Sequence, residues 1–394
     1  MNSMAQTAPT PLPRVIWLLL LGVFVNRFGG FVTVFLVLYL THIGYTPIQA
    51  GIAVSVYGIG SLGAAYGGGQ LADQLGRKDT IVLSMFSSAA AMLALSQARA
   101  LWLIVVLTGL AGLTTEMYRP TVSALLTDLV PAERRVTTFA LYRLAVNLGF
   151  AAGPAIAGFL ASRSFFLLFL GDACTSLFFG AVSLLFLPHG VRSRRQQEPP
   201  GEFRRSVLAD RAFLLFLLAS VSLTFIYFQN QTTFALQVQS FGYSPAVYGT
   251  LISVNGLVII LLELPLSTLT RRLPTRPTIA FGMLLSAAGF ALTSIAATIP
   301  LLALTVTIWT LGEIVESPVA AAYVANLAPA HLRGRYQGVY SLVWGIGLIT
   351  APLLGTTIFA WNHQALWLLC GVLGLLGALL MLLSGAIRPL HSLP

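Results

Sequence analysis

The sequence predicts an all-α integral membrane protein, with twelve transmembrane helices arranged as two pseudo-symmetric bundles of six. Three observations carry this prediction. Of 394 residues, 57% are apolar and only 9% are charged, against roughly 25% charged in a soluble domain. Apolar runs near the ~20-residue length that spans a bilayer recur twelve times. The chain also matches itself at an offset of 198 residues.

The first six runs are 15–40, 48–71, 79–97, 101–127, 136–160 and 165–188, and the second six are 211–235, 246–268, 278–297, 301–327, 336–359 and 365–386. Strand-type alternation is absent, and a lipid-exposed span must satisfy its own backbone hydrogen bonds, so these runs are helices. The first run is too long for a signal peptide and lacks a small-x-small cleavage site, so it is kept as helix 1. Between the two sets, 189–210 is polar, basic and proline-containing, the composition of a solvated linker. The expected division is a first bundle at 1–188, a linker at 189–210 and a second bundle at 211–394.

The net charge of +10 comes from 22 bases against 12 acids. Such basicity can signal nucleic acid, but the bases are distributed by topology. With a cytoplasmic N-terminus, seventeen fall near the cytoplasmic ends of spans, two (Arg99 and Arg163) on the opposite side, and Arg27, Arg119 and Arg143 inside spans. By the positive-inside bias both termini and the linker are cytoplasmic, and no nucleic-acid partner is expected. Cys174 and Cys370 lie in apolar runs without metal-type spacing, which excludes a disulfide framework or zinc site and reads as two inert buried thiols. The five histidines lie near loops without ligand spacing, so no metal is expected. A soluble enzyme and a secreted module are excluded.

The repeat is carried by turn and proline positions. Gly44-Tyr45-Thr46-Pro47 falls on Gly242-Tyr243-Ser244-Pro245, and Gly51, Ser55 and Gly58 fall on Gly249, Ser253 and Gly256. Pro120, Pro131 and Pro154 fall on Pro318, Pro329 and Pro352. The offset equals six helices, an even number, so both bundles share one orientation and relate by an axis along the membrane normal.

Residues 69–78, Gly-Gln-Leu-Ala-Asp-Gln-Leu-Gly-Arg-Lys, join helices 2 and 3. They resemble the hallmark loop of the major facilitator superfamily, with Gln74 in place of the usual Arg. Gly149, Gly153, Pro154 and Gly158 in helix 5 resemble the motif of that superfamily's drug:proton antiporters. The resemblance covers the whole chain in span count, linker position and repeat. It implies that Gly69 and Gly76 shape the turn, and that Asp73, Arg77 and Lys78 form a conformational latch with the helix-4 acid Asp128. Arg333 or Arg335, at the start of helix 11, would complete the latch and hold the outward-facing state. The residue 198 after Asp73 is Arg271, so the second copy of the loop has degenerated.

Five acids (Glu116, Asp172, Glu263, Glu313, Glu316) and three bases (Arg27, Arg119, Arg143) fall within spans. An ionisable group at the bilayer centre costs ~2.5–3.5 kcal/mol on insertion scales, so such groups usually face a cavity and pair. Glu116 and Arg119 share one face of helix 4, as Glu313 and Glu316 do of helix 10. The resemblance implies that helices 1, 4, 7 and 10 line the central cavity. A carboxylate in an apolar setting takes up a proton more readily than one in water, and so can couple proton movement to cation affinity. Several pairings stay open: Arg119 with Glu116 or Asp172, Arg27 with Glu116, and Glu263 with a loop arginine. Arg119 and Glu316 lie just before Pro120 and Pro318, which marks two candidate hinges. Asn26 in helix 1 and Gln229 and Asn230 in helix 7 are candidate cavity amides, with interhelical packing as the alternative. Gly58-Ile59-Gly60-Ser61-Leu62-Gly63 mimics a nucleotide motif but lies inside a span, where it reads as close helix packing.

The expected function is proton-coupled efflux of lipophilic, including cationic, small molecules by a monomer in the inner (cytoplasmic) membrane. The proton gradient supplies the energy and no cofactor is needed; the partners are substrate, protons and the lipid bilayer. A proton-coupled importer or lipid translocator is the alternative on the same scaffold. A non-transporting membrane sensor is the alternative from another class.

Overall fold

The computed structural model describes residues 12–188, 210–329 and 332–384. Twelve rods run through it. The first six are α1 (two segments, Arg14–Phe28 and Phe31–His42), α2 (Pro47–Gln74), α3 (Arg77–Gln97), α4 (Leu101–Glu116 and Tyr118–Leu129), α5 (Ala132–Arg163) and α6 (Phe166–Phe186). The second six are α7 (Arg211–Tyr227, a 3-10 turn Phe228–Gln231, then Thr233–Ser240), α8 (Pro245–Thr270), α9 (Thr275–Leu292), α10 (Ile299–Leu327), α11 (Arg333–Trp361) and α12 (His363–Leu383). Among the described residues eleven stretches are long and apolar enough to cross a membrane. The twelfth rod, α9, opens on Thr275-Arg276-Pro277 and packs mainly on α10 and α12. The predicted architecture of two six-helix bundles is therefore the observed one.

Three predicted single helices are interrupted, each for a local reason. Gly29 and Gly30 break α1, where the missing side chains weaken the helix. In α4, Pro120 has no N–H and its ring clashes with the carbonyl four residues back, which is that of Glu116, where the first segment stops. In α7 the Gln229 side chain donates to Phe225 O (2.9 Å) and Ala351 O (3.3 Å) and accepts from Thr233 Oγ1 (2.8 Å), competing with the helical ladder. Pro318 does not have this effect: α10 runs through it without a break. Of the two predicted proline hinges, only the one at Pro120 is an interruption.

The internal repeat persists at the level of single atoms. Gly44 and Gly242, 198 apart, both hold a positive φ, 98° and 77°, in the turns before α2 and α8. Next to them the Tyr45 hydroxyl donates to Arg99 O, and the Tyr243 hydroxyl donates to Ala297 O at 3.0 Å, again one repeat apart. Thr41 donates to Gln239, its own repeat partner, at 3.2 Å, which places the pseudo-twofold axis between them.

The two bundles meet through glycines. A Cβ on Gly51 of α2 would lie 2.9 Å from Pro352 O of α11, and one on Gly249 of α8 would lie 2.2 Å from Pro154 O of α5. Gly58 sits likewise against Leu348 O, and Gly256 against Ala151. These are the same contact made twice by the repeat. The Gly58–Gly63 stretch is close packing, as expected: a Cβ on Gly60 would lie 2.0 Å from Gly109 O.

One end of the molecule, carrying Arg77, Lys78 and Arg333, is the basic end. At the far end the bundles are sealed by a shared core that includes Phe35, Phe234 and Tyr248. There the Tyr248 hydroxyl lies within hydrogen-bond reach of two carbonyls, Val34 O (3.2 Å) of the first bundle and Asn230 O (3.1 Å) of the second. Near the basic end, Gly67 and Gly69 of α2 and Gly334 and Gly338 of α11 have open space where a Cβ would go. The bundles enclose a cavity whose lining reaches Ala65 and Ser341 on the basic side.

Candidate functional site

The cavity between the bundles has a volume of about 540 Å³. Arg27, Glu116 and Arg119 stand on its first-bundle wall, and Asn255 and Glu313 on the second. A smaller side pocket of about 200 Å³ holds Glu316 and shares Tyr227, Glu313 and Trp344 with the main cavity. The two predicted carboxylate faces, on α4 and α10, therefore do converge on one chamber.

On the α4 wall the open pairing is resolved. Arg119 Nε lies 2.6 Å from Glu116 Oε2, and Arg27 Nη1 lies 3.6 Å from Glu116 Oε1. The Tyr57 hydroxyl adds a hydrogen bond to Glu116 at 3.4 Å. The Arg27 guanidinium also lies 5.5 Å from the Tyr118 ring centroid. Glu116 is thus held by two guanidinium groups from two helices. Asp172 has another role: it is buried in α6 and accepts from Val32 N at 3.4 Å, tying α6 to the second segment of α1. It lines neither chamber, which corrects its expected place among the cavity residues.

On the α10 wall Asn255 Nδ2 donates to Glu313 Oε2 at 3.1 Å and to Thr310 Oγ1 at 2.9 Å. Sequence reasoning missed Asn255, yet the repeat pointed to it. It stands 198 residues after Tyr57, and each donates to the carboxylate facing its own helix. Glu316 is 2% exposed, and its Oε1 has no hydrogen-bond partner.

The amide candidates mostly serve packing. Asn26 turns into the first bundle, donating to Ser176 Oγ at 3.3 Å and to the Met85 sulfur at 3.5 Å. Gln229 shapes the α7 break and presses on Gly355, and Asn230 is buried with its carbonyl held by Tyr248. None of the three lines the chambers; Gln231 does. A helix must bury its polar groups somewhere, and the nearest neighbouring helix meets that need as well as a cavity does.

Glu263 also departs from expectation. Its partner is Arg143, an intramembrane residue of the other bundle, joined by Asn147 Nδ2 at 3.3 Å. This strut ties α5 to α8 on the basic side of the cavity. The repeat-equivalent positions between α2 and α11 are Ala65 and Ser341, which cannot form an ion pair. One seam is therefore fastened and the other is not. Glu263→Ala and Arg143→Ala are each expected to lengthen and broaden the distance between spin labels placed at Phe139→Cys and Ser267→Cys. An unchanged distribution in both excludes the strut.

At the loop, Gly76 takes φ 105°, a conformation glycine tolerates and other residues resist. Arg77 Nη1 lies 2.8 Å from Asp73 Oδ1, and its Nε lies 3.4 Å from Asp128 Oδ2. Lys78 is buried beside them and Gly69 is open. The ion pairs of Asp73 and Asp128 with Arg77 thus lie within the first bundle; Arg333 is exposed and Arg335 half-buried on α11. The predicted bridge between bundles is not among these pairs. The helix-5 glycines divide their work. Gly149 and Gly153 let α5 touch the α1 backbone at Phe28, while Pro154 and Gly158 meet α8 at Gly249 and Pro245. Cys370 is buried as expected, but Cys174 is exposed on the outer surface of α6.

Comparison with known proteins agrees with this architecture. The family model of the Major Facilitator Superfamily matches residues 19–238 and 232–392. The chain is 26% identical over 369 residues to the multidrug resistance protein MdtH of Cronobacter sakazakii, covering 90% of each. It is 25% identical over 339 residues to a Na(+), Li(+), K(+)/H(+) antiporter of Planococcus maritimus, covering 77% of this chain and 80% of that one. A crystal structure of a mutant of the peptide transporter POT in complex with alafosfalin superposes with a TM-score of 0.82 at 20% identity, covering 97% of this chain and 96% of that one. Likeness at that identity concerns the fold alone. With its family match running through both bundles, the chain belongs to the major facilitator superfamily, as a multi-pass membrane transporter.

Proposed function

We propose that the protein exports lipophilic small molecules, cationic ones among them, in exchange for protons by alternating access. The observation that carries this reading is the chamber itself: Glu116 and Glu313 face a cavity between two bundles that are sealed at one end, and Glu316 stands in the adjoining pocket inside the second bundle. Glu116 is committed to Arg27 and Arg119. Proton coupling therefore falls to Glu313 and Glu316, which form no ion pair with a base among the described residues. Protons arriving from outside neutralise these carboxylates and release the substrate outward; loss of the protons to the inside restores affinity. The names of the two relatives, one a multidrug resistance protein and one a cation/proton antiporter, support exchange.

On this reading the basic end is cytoplasmic by the arginine bias, the seal at the far end makes this conformation inward-facing, and both termini, which lie outside the described residues, are on the cytoplasmic side. In the outward-facing state α11 swings toward the loop, and Arg333 or Arg335 reaches the Asp73–Arg77–Asp128 cluster. The bundles 1–188 and 211–394 move as two bodies joined by 189–210, which lies, but for Asp210, outside the described residues. The working unit is a monomer driven by the proton gradient, without a cofactor.

The test is flux in proteoliposomes under an imposed pH gradient, across cationic, neutral and anionic compounds. Glu316→Gln and Glu313→Gln are expected to abolish gradient-driven flux while leaving exchange of substrate for substrate. Undiminished proton-coupled flux in both variants refutes the carboxylate assignment. Accumulation with the proton gradient instead of against it identifies an importer. Binding without flux of any compound identifies a sensor.

A further inference from the structure

Unsatisfied groups of opposite character stand on the two walls of the chamber. On the first bundle, Nε and Nη2 of Arg27 are buried without a hydrogen-bond partner. Its neighbour Arg119 leaves 49% of its side chain exposed. Glu116 offsets one of these two guanidinium groups, so this wall keeps a positive charge. On the second bundle, Glu316 is 2% exposed with Oε1 unpartnered, and Glu313 opens onto both chambers. A buried polar atom without a partner is costly, and here the donors lack an acceptor on one wall while an acceptor lacks a donor on the other. The pocket of Glu316 adjoins the main cavity, with Tyr227, Glu313 and Trp344 in the lining of both.

Resting on the reading of this chamber as the transport site, we infer that it recognises zwitterionic amphiphiles, with an anionic group toward Arg27 and Arg119 and a cationic group toward Glu316 and Glu313. A guanidinium pair suits a carboxylate or phosphate. The cationic end enters a pocket walled by Trp309, Phe290 and Trp344 beside the two carboxylates. The Trp309 indole N–H also lacks a partner there and takes an oxygen of the molecule's body. A simple cation leaves the Arg27 donors empty, and a simple anion sets its charge against no partner at Glu316. The two walls together favour the zwitterion over either half of the molecule offered alone.

The test is binding to the full-length protein in lipid nanodiscs, read by naphthyl fluorescence, so that it needs no gradient and no transport. The probes share one body: 3-[6-(aminomethyl)-2-naphthyl]propionate as zwitterion with its charges at opposite ends, 2-naphthylmethylamine as cation and 3-(2-naphthyl)propionate as anion. The zwitterion is expected to bind about tenfold more tightly than either analogue. Glu316→Gln should weaken the zwitterion and the amine but not the propionate. Arg119→Gln should weaken the zwitterion and the propionate but not the amine. Displacement by hexylphosphocholine marks a lipid-type headgroup as the natural source of the charge pair, and failure to displace marks an amino-acid-type amphiphile. The inference is overturned if the amine binds as tightly as the zwitterion, if Arg119→Gln leaves the zwitterion unaffected, or if folded protein binds none of the three. Proton-driven flux with no zwitterion preference would sink this inference and leave the proposed exchange standing. Zwitterion binding without proton-driven flux would do the reverse.

Discussion

Gly249→Leu is expected to open the far end of the molecule and shift the protein toward its outward-facing state. The Cβ of any side chain there would lie 2.2 Å from Pro154 O and 3.0 Å from the Gly158 Cα. Both obstacles are backbone, so no rotamer change relieves them, and α5 and α8 must separate. The contact joins the two bundles rather than the inside of either, so each bundle keeps its packing. In a variant lacking Cys174 and Cys370, a cysteine at Phe234, buried in the far-end seal, reports the change. Its labelling by a membrane-impermeant maleimide should accelerate tenfold or more, which corresponds to a shift of about 1.4 kcal/mol between the two states. Unchanged labelling in a protein of unchanged thermal stability refutes the role of this contact. Gly60→Leu is the contrasting control. Its clash with Gly109 O at 2.0 Å lies inside the first bundle, so it should prevent folding altogether.

Glu116→Ala is expected to cost about 3–5 kcal/mol of stability, the usual result of removing one partner from a buried ion pair. Arg27 would keep its charge in a site where its side chain is 16% exposed and two of its nitrogens already lack partners. The loss is measured as a fall in the denaturation midpoint in detergent micelles. Replacing Arg27 as well, in Arg27→Met/Glu116→Ala, should recover most of it, because the stranded charge is then gone. Arg119→Gln should cost less than about 1 kcal/mol, since Arg119 is half exposed to the cavity and exposed pairs contribute little. Equal costs for Arg119→Gln and Glu116→Ala would show that the attraction itself, not the stranded arginine, dominates. A double variant no more stable than Glu116→Ala alone would overturn the account.

Many intramembrane groups were legible as chemistry and illegible as partners. Glu116, Glu313 and Glu316 could be singled out because charge in a bilayer core is costly wherever it sits. Their partners depended on rotations of whole helices. Glu116 found arginines from α1 and α4, Glu313 an amide from α8, and Glu316 Oε1 nothing. The amides went the other way: Asn26 and Gln229 looked like cavity residues and were absorbed by neighbouring helices. Amides and hydroxyls are satisfied by any close partner, so composition alone cannot separate a packing amide from a binding one. Asn255 was recoverable through the repeat, because the twofold relation carries Tyr57 onto it. The Arg143–Glu263 strut was not, because its repeat positions hold Ala65 and Ser341.

By itself the sequence determined the membrane class, the helix count, the two-bundle repeat and the family. Each of these rests on periodicity, length or a contiguous motif, which are properties of one dimension. The tertiary structure alone decided three things: which charges pair with which, that an ion pair ties α5 to α8 while the repeat positions of α2 and α11 hold none, and that Arg77 gathers Asp73 and Asp128 within one bundle. These depend on distances between helices far apart in the chain, set by where glycines let two backbones touch. No local pattern encodes such distances.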